Sequence, residues 1–230
     1  MDSHANLPTG AVSAPGWEIG PARGAARGLA LGVKRSFDVT VAVLLIVMML
    51  PMLAVVAVLV AMDGGPVFFS HRRVGRNGKT FGCLKFRTMI PDAEHTLSQY
   101  LALHPEAAEE WKRTQKLEFD PRVTAVGKAL RSSSLDELPQ LINVLRGEMS
   151  LVGPRPVTEP ELERYGAQSD YYKAVRPGIT GLWQVNGRNE LSYEQRISMD
   201  IDYVRNWSLL ADARILFRTP KVVLSRDGAR

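Results

Sequence analysis

VTVAVLLIVMMLPMLAVVAVLVAM, residues 39–62, holds no charged side chain, and its reading decides the architecture of the whole chain. As an unbroken helix at ~1.5 Å per residue it would reach roughly 36 Å, enough to cross a bilayer. Pro51 stands almost at its midpoint. There it removes one backbone hydrogen bond and costs ~3 kcal/mol or more, so a break at Leu50-Pro51 is favoured. The flanks carry a second constraint. Arg23, Arg27, Lys34 and Arg35 precede the run, and Arg72, Arg73, Arg76, Lys79, Lys85 and Arg87 follow it with no acid between Gly64 and Pro91. Positive charge at both ends asks for both ends on the cytoplasmic side. A re-entrant helix that turns at Leu50-Pro51 and returns to the face it entered satisfies both observations. One spanning helix with a proline kink is equally open from these residues.

Outward from this run, the rest of the chain has ordinary globular character. With 230 residues, 45% hydrophobic and a net charge of +5, it has the size of one domain. Cys83 is the single cysteine, which excludes an internal disulfide and favours a reducing compartment. His4, His71, His95 and His104 have no second His or Cys at ligand spacing, which argues against zinc and leaves a hard, carboxylate-bound metal. Residues 1–29, rich in Gly, Ala, Pro and Ser, read as a disordered tail. The apolar run lies too far in and is too long for a signal peptide.

After the run, Pro66–Phe69 and Thr80–Phe86 have strand character around Gly75-Arg76-Asn77-Gly78, and Asn-Gly marks a hairpin. Gly78-Lys79-Thr80 imitates the end of a phosphate-binding loop. Arg73 stands where that loop needs its first glycine, and a strand follows instead of a helix. Lys85 and Arg87 alternate with Leu84 and Phe86, so both cations leave one strand face, as a solvated face or a phosphate clamp. Residues 92–118 read as two amphipathic helices in an insertion without site chemistry.

Arg131–Pro156, RSSSLDELPQLINVLRGEMSLVGPRP, places Asp136 and Glu137 side by side at a helix start. Ser134 and Glu137 also spell a capping box, but that register puts Pro139 where its missing N–H is needed; with Asp136 as N-cap it falls in the first turn. Leu138, Leu141, Ile142 and Leu145 then form the apolar face, stopped at Gly147. Further on, Arg176 to Arg188 gathers three glycines, two arginines, Gln184 and Trp183, either a ligand loop or a tight turn over a buried Trp. Ser192 to Arg205 opens with a capping signal, and Ser208 to Arg218 forms another helix, each closing a core or lying in a membrane interface. Alone, an acid pair at a helix start serves the helix dipole. With Lys85, Arg87, Arg131, Arg155, Arg176 and Arg188 within reach it supplies what phosphoryl transfer needs: carboxylates for a divalent cation, arginines for phosphate oxygens. A nucleoside diphosphate fits these dispersed cations better than nucleic acid.

Taken in order, Lys34-Arg35-x-x-Asp38, the proline-bearing apolar helix, Gly65-Pro66-Val67-Phe68-Phe69, Lys85-Phe86-Arg87-Thr88-Met89, Leu135-Asp136-Glu137-Leu138-Pro139-Gln140, Val152-Gly153-Pro154-Arg155-Pro156 and Arg176-Pro177-Gly178 resemble the monotopic bacterial sugar transferases, the polyprenyl-phosphate phosphoglycosyl transferases. The resemblance covers Lys34 to about Ser225 and is greatest to members that start exopolysaccharide repeat units with galactose or glucose 1-phosphate. It implies an α+β, mainly helical, monotopic protein: a re-entrant helix over 34–62, a small β-hairpin, interfacial amphipathic helices and a cytosolic or interfacial catalytic domain over 63–230 with the 92–118 insertion. It implies transfer of hexose 1-phosphate from UDP-hexose to undecaprenyl phosphate, with release of UMP, at the cytoplasmic face of a bacterial inner membrane. Asp136 is then the nucleophile that forms an aspartyl-phosphosugar, and Glu137 assists and, with Asp136, holds Mg²⁺. Lys85, Arg87, Arg131 and Arg155 are phosphate contacts; Arg176, Gln184 and Arg188 belong to the uridine end; Lys34 and Arg35 anchor the helix among membrane lipid headgroups. A non-catalytic scaffold and a nucleotide-sugar hydrolase are the competing classes. The hexose and the oligomeric state stay open, a homodimer included.

Overall fold

The computed structural model describes residues 21–187 and 190–224, the side chains of 21–27 and 224 excepted. Residues 1–20, most of the expected tail, lie outside the described residues; Pro21–Leu29, its remainder, is helical.

Helix α1 runs from Pro21 to Ala61 with Pro51 inside it. The expected interruption at Leu50-Pro51 is therefore not an end of helix: the assignment passes through it. Pro51 is exposed, while Ala42, Val56 and Val60 are buried and Leu45, Ile46, Leu53 and Ala57 are partly buried against the body. These positions share one helical stripe on both sides of Pro51. The missing amide thus falls on the outer face, where its loss leaves the packed side intact. Leu44, Val47, Met48, Leu50, Val55 and Val58 on that outer face are exposed.

Both polar ends of the apolar run are tied to the same body. At the front, Lys34 Nζ donates to Asp212 Oδ2 at 2.7 Å and to the Val152 carbonyl at 3.1 Å, while Asp38 accepts from Ser150 Oγ at 2.7 Å and from the Leu151 amide at 3.3 Å. Lys34 is therefore an internal strut, not a headgroup anchor. At the back, the Arg87 guanidinium grips Asp63 and the Val60 carbonyl.

Between these clamps, β1 (Phe68–Val74) and β2 (Thr80–Phe86) pair antiparallel from Phe68↔Phe86 to Val74↔Thr80. Asn77 (φ 59°) and Gly78 (φ 73°) take the left-handed conformations that the Asn-Gly turn requires. Helices α2 (Ala93–Leu103) and α3 (Pro105–Thr114) fill the 92–118 stretch, with Ala107 the one buried residue between them. Next come α4 (Ala125–Ser133), α5 (Gln140–Arg146), β3 (Ser150–Val152), α6 (Glu159–Glu163), α7 (Ser169–Lys173) and β4 (Gly178–Thr180). β3 and β4 are parallel, Ser150 opposite Gly178 and Val152 opposite Thr180. α8 (Tyr193–Arg205) opens with the expected capping box, Ser192 on the Gln195 amide and Gln195 on the Ser192 amide. Its Ile197, Ile201, Tyr203 and Val204 are buried, so it closes the core. α9 (Leu209–Leu224) buries Ile215 but exposes Leu210 and Phe217.

Candidate active site

α4 ends at Ser134, whose φ of 57° is left-handed and whose N–H returns to the carbonyls of Leu130 and Arg131. That reversal sets a separate 3-10 turn, Leu135–Glu137, against β2. Asp136 is thus not the N-cap of α5. Pro139 occupies that place and α5 begins at Gln140, still ahead of any position where the missing N–H would be needed. The buried side of α5 shifts as well: Gln140, Leu141, Asn143 and Val144 face inward, and Leu145 is exposed.

The turn points two carboxylates at Lys85, near the open end of the hairpin. Asp136 is 8% exposed; burial holds its carboxyl above the ordinary carboxylate range, opposed by the Lys85 charge, reinforced by Glu137 and opposed again by Arg131. Lys85 Nζ donates to Glu137 Oε1 at 2.6 Å and lies 3.6 Å from Asp136 Oδ2. Arg155 Nη2 lies 3.6 Å from Glu137 Oε1. Arg131, in the last turn of α4, donates from Nε to Thr88 Oγ1 at 2.9 Å, and its charge is felt by Asp136.

Arg155 is delivered by a close crossing of backbones. A Cβ on Gly178 would lie 2.1 Å from the Gly153 nitrogen, and one on Gly153 would lie 2.6 Å from the Arg176 carbonyl oxygen. Only glycine fits at either position. Pro154-Arg155-Pro156 leaves that crossing, and Val157 pairs back to Val74 of β1.

Other residues expected at the site make no contact with the acid pair among the described residues. Arg87 uses all its donors as a strut: Nε on the Pro66 carbonyl at 2.6 Å, Nη1 on Asp63 and the Met89 carbonyl, Nη2 on the Val60 carbonyl and Asp63. No N–H remains for a phosphate. Arg176 Nε donates to the Gly147 carbonyl at 2.7 Å, at the far end of α5 from the acid pair. Gln184 Nε2 donates to the Ile179 carbonyl at 3.2 Å, and its Oε1 is buried without a partner among the described residues. Arg188 lies outside the described residues.

Two site-supporting residues have no local sequence pattern to find them. Asn143, fully buried, joins α5 to β2 by accepting from the Leu84 amide at 3.0 Å and donating to the Gly82 carbonyl at 2.8 Å. This fixes Lys85 opposite the acids. Asp200, 3% exposed, accepts from Tyr165 Oη at 2.8 Å, while its Oδ1 is buried without a hydrogen-bond partner among the described residues, and it feels the Arg155 charge.

Among the described residues no group of three or more His, Cys, Asp or Glu converges. Two adjacent carboxylates still fit Mg²⁺, which commonly takes one or two carboxylates and completes its shell with water and substrate phosphate oxygens.

A shielded carboxylate with a second beside it and cations around the pair is equipment for moving phosphoryl groups, and the same body carries a helix long and apolar enough to cross a membrane. The family described as bacterial sugar transferase matches residues 29–226; the chain belongs to that family and is a phosphoglycosyl transferase. It is 54% identical over 197 residues to the exopolysaccharide production protein ExoY of Sinorhizobium fredii, covering 85% of this chain and 87% of that one. It is 51% identical over 197 residues to the undecaprenyl-phosphate galactose phosphotransferase of Salmonella typhimurium, covering 86% of this chain and 41% of the relative. With the undecaprenyl-phosphate glucose phosphotransferase of Komagataeibacter xylinus the identity is 42% over 209 residues, covering 85% of this chain and 36% of the relative.

Proposed function

We propose that the protein transfers a hexose 1-phosphate, galactose or glucose, from UDP-hexose to undecaprenyl phosphate in the first membrane step of exopolysaccharide synthesis. The observation that carries this reading is the Lys85 ammonium set between a buried Asp136 and Glu137. Asp136 Oδ attacks the β-phosphorus; an Asp–O–P bond forms, the phosphoanhydride P–O bond breaks, and UMP leaves with the bonding electrons. An oxygen of undecaprenyl phosphate then attacks the same phosphorus, the Asp–O–P bond breaks, and the carboxylate is restored. Each step exchanges one activated phosphoryl bond for another, so no separate energy source is needed. Lys85 shields the repulsion between an anionic nucleophile and an anionic phosphoryl group. Arg155 and Arg131 are positioned to take the charge of the donor phosphates. Mg²⁺, held by Asp136 and Glu137, would neutralise diphosphate charge.

The lipid acceptor requires a site at headgroup level, and a re-entrant α1 supplies one. Two facts support it: Asp38 and Asp63, at opposite ends of the apolar run, are bound by the same body, and the outer face between them is apolar and exposed. A helix with both ends so tied keeps both flanks at the cytoplasmic face of the inner membrane and turns its exposed apolar face to the bilayer.

Asp136→Asn removes the nucleophile, and UMP release from UDP-galactose or UDP-glucose with Mg²⁺ and undecaprenyl phosphate should fall below detection. Release by that variant at near the wild-type rate would sink the assignment. A cysteine placed ahead of Pro21 should be labelled from the cytoplasmic side only; periplasmic labelling would establish a spanning helix.

A further inference from the structure

Arg155 reaches the acid pair from a segment that is stiff along its length and held at both ends. From 149 to 157 every residue is buried except Arg155. Pro154 and Pro156 flank it, each with its φ fixed by the ring and no N–H to bond. Such a segment is aimed by its anchors. At the entry the Gly153 amide donates to the Thr180 carbonyl at 3.0 Å, and the Pro154 carbonyl accepts from the Gly178 amide at 2.8 Å.

At the exit Val157 lies opposite Val74 of β1 in an antiparallel bridge. A regular hydrogen-bonded pair of this kind exchanges two direct bonds, one in each direction. Only one is direct here: the Val74 amide donates to the Val157 carbonyl at 2.9 Å. The other passes through a side chain. The Val157 amide donates to Tyr172 Oη at 3.1 Å, and that hydroxyl donates to the Val74 carbonyl at 2.7 Å. Tyr172 comes from α7, is 2% exposed, and packs its ring edge-on to Tyr165 with centroids 5.4 Å apart. Burial pushes its phenol above the ordinary tyrosine range, so the hydroxyl keeps the proton it donates. Filling the core needs only the ring. The oxygen is in addition a wedge between two backbones, on the side of Val157 that leads to Pro156. Beside it, Arg73 Nη1 donates to the Pro156 carbonyl at 3.3 Å and to Glu161 Oε2 at 2.8 Å.

We infer that Tyr172 is a positioning residue for Arg155: its hydroxyl, inserted between Val74 and Val157, sets the spacing that aims the guanidinium at Glu137. Without that hydroxyl the Val157 amide and the Val74 carbonyl, both buried, either go unpaired or close on each other directly. In closing they draw Pro156 and Arg155 with them. The inference rests on the part proposed above for Arg155 at the donor phosphates, and the experiment keeps the two apart.

The test is a double-mutant cycle on UMP release from UDP-galactose and UDP-glucose by the full chain, with Mg²⁺ and undecaprenyl phosphate. Rates are referred to the folded fraction, which thermal unfolding measures. Tyr172→Phe keeps the ring and removes only the hydroxyl. It should lower kcat/KM about fivefold in the wild-type background and by less than about twofold in the Arg155→Gln background. The loss should divide between kcat and KM as it does in Arg155→Lys, a match that lower stability alone does not produce. Arg73→Gln, at a partly exposed side chain, loosens the same exit without cutting into the core. It should lose about threefold, again only while Arg155 is present, and it carries the test if Tyr172→Phe does not fold. An equal loss in both backgrounds would overturn the inference, as would wild-type kcat/KM in Tyr172→Phe beside an impaired Arg155→Gln. Wild-type turnover in Arg155→Gln itself would instead remove the proposed part of Arg155, and the inference with it.

Discussion

Lys85 and Arg87 stand two residues apart at the end of one strand and do opposite work. Lys85 belongs to the acid pair, with its side chain 26% exposed and its ammonium shared between two carboxylates. Arg87 belongs to the clamp at the back of α1, buried, with every N–H engaged by Asp63 or a carbonyl. Charge and strand face are alike for the two at the level of sequence. What separates a site from a strut is how many donors are left over when the fold is complete.

The clamp is where the largest change in stability is expected. Arg87→Gln strands the carbonyls of Val60, Pro66 and Met89, while Asp63 is exposed enough to be solvated, and should cost about 1–3 kcal/mol, the penalty for leaving buried acceptors unsatisfied. Thermal unfolding in detergent measures it, and turnover per folded molecule should stay near wild type. Lys85→Gln should do the reverse: about a 100-fold loss of UMP release, equal to about 2.7 kcal/mol of transition-state stabilisation, with little change in unfolding temperature. If both variants lost activity in proportion to stability, the distinction between the two cations would collapse.

Asp200 sharpens the same contrast from the acid side. Its carboxyl is pushed up to about 7 by burial, against the pull of the Tyr165 hydroxyl, the Arg155 charge and the Trp183 indole. Between pH 4 and 7 the folded chain keeps a proton that an unfolded Asp200 has released, so this group's favourable contribution is full below about pH 4 and lost as pH rises through about 7. The shift sets a ceiling of roughly 4 kcal/mol, and water reaching the ionised group lowers it to about 2. Asp200→Asn cannot ionise. The stability of wild type relative to that variant should fall by about 2 kcal/mol from pH 4 to pH 8, as urea titrations at each pH would show. A difference independent of pH would mean that Asp200 is already ionised when folded.

Local chemistry was legible where it is short-ranged. Asn77-Gly78 announced the hairpin, Ser192 and Gln195 the start of α8, and the charged 92–118 stretch two helices that bury almost nothing. Pairing across long separations was not. Lys34 meets Asp212 and Arg35 meets the end of α5, contacts for which no periodic pattern exists, so two cations read as headgroup anchors also hold the fold. The cap at Asp136 failed for a different reason. The left-handed Ser134 inserts a separate turn between α4 and α5, and a serine gives no warning of that conformation as a glycine would. The resemblance reached the family, yet it could not say which of its arginines touch phosphate.

Arg155 is the smallest and most discriminating case. It lies 3.6 Å from Glu137, and its charge is also felt by buried Asp200. Arg155→Lys keeps the charge but loses the planar fork that can face a phosphate and a carboxylate together. UMP release should drop about tenfold in kcat/KM, equal to about 1.4 kcal/mol. A rise in KM for UDP-hexose at constant kcat would assign Arg155 to donor binding in ground and transition state alike; equal losses in kcat and kcat/KM would assign it to charge that develops only as the phosphoanhydride breaks. Wild-type kinetics in both Arg155→Lys and Arg155→Gln would move Arg155 to the side of Arg87, a cation spent on structure, and leave Lys85 and Arg131 to answer for the acid pair.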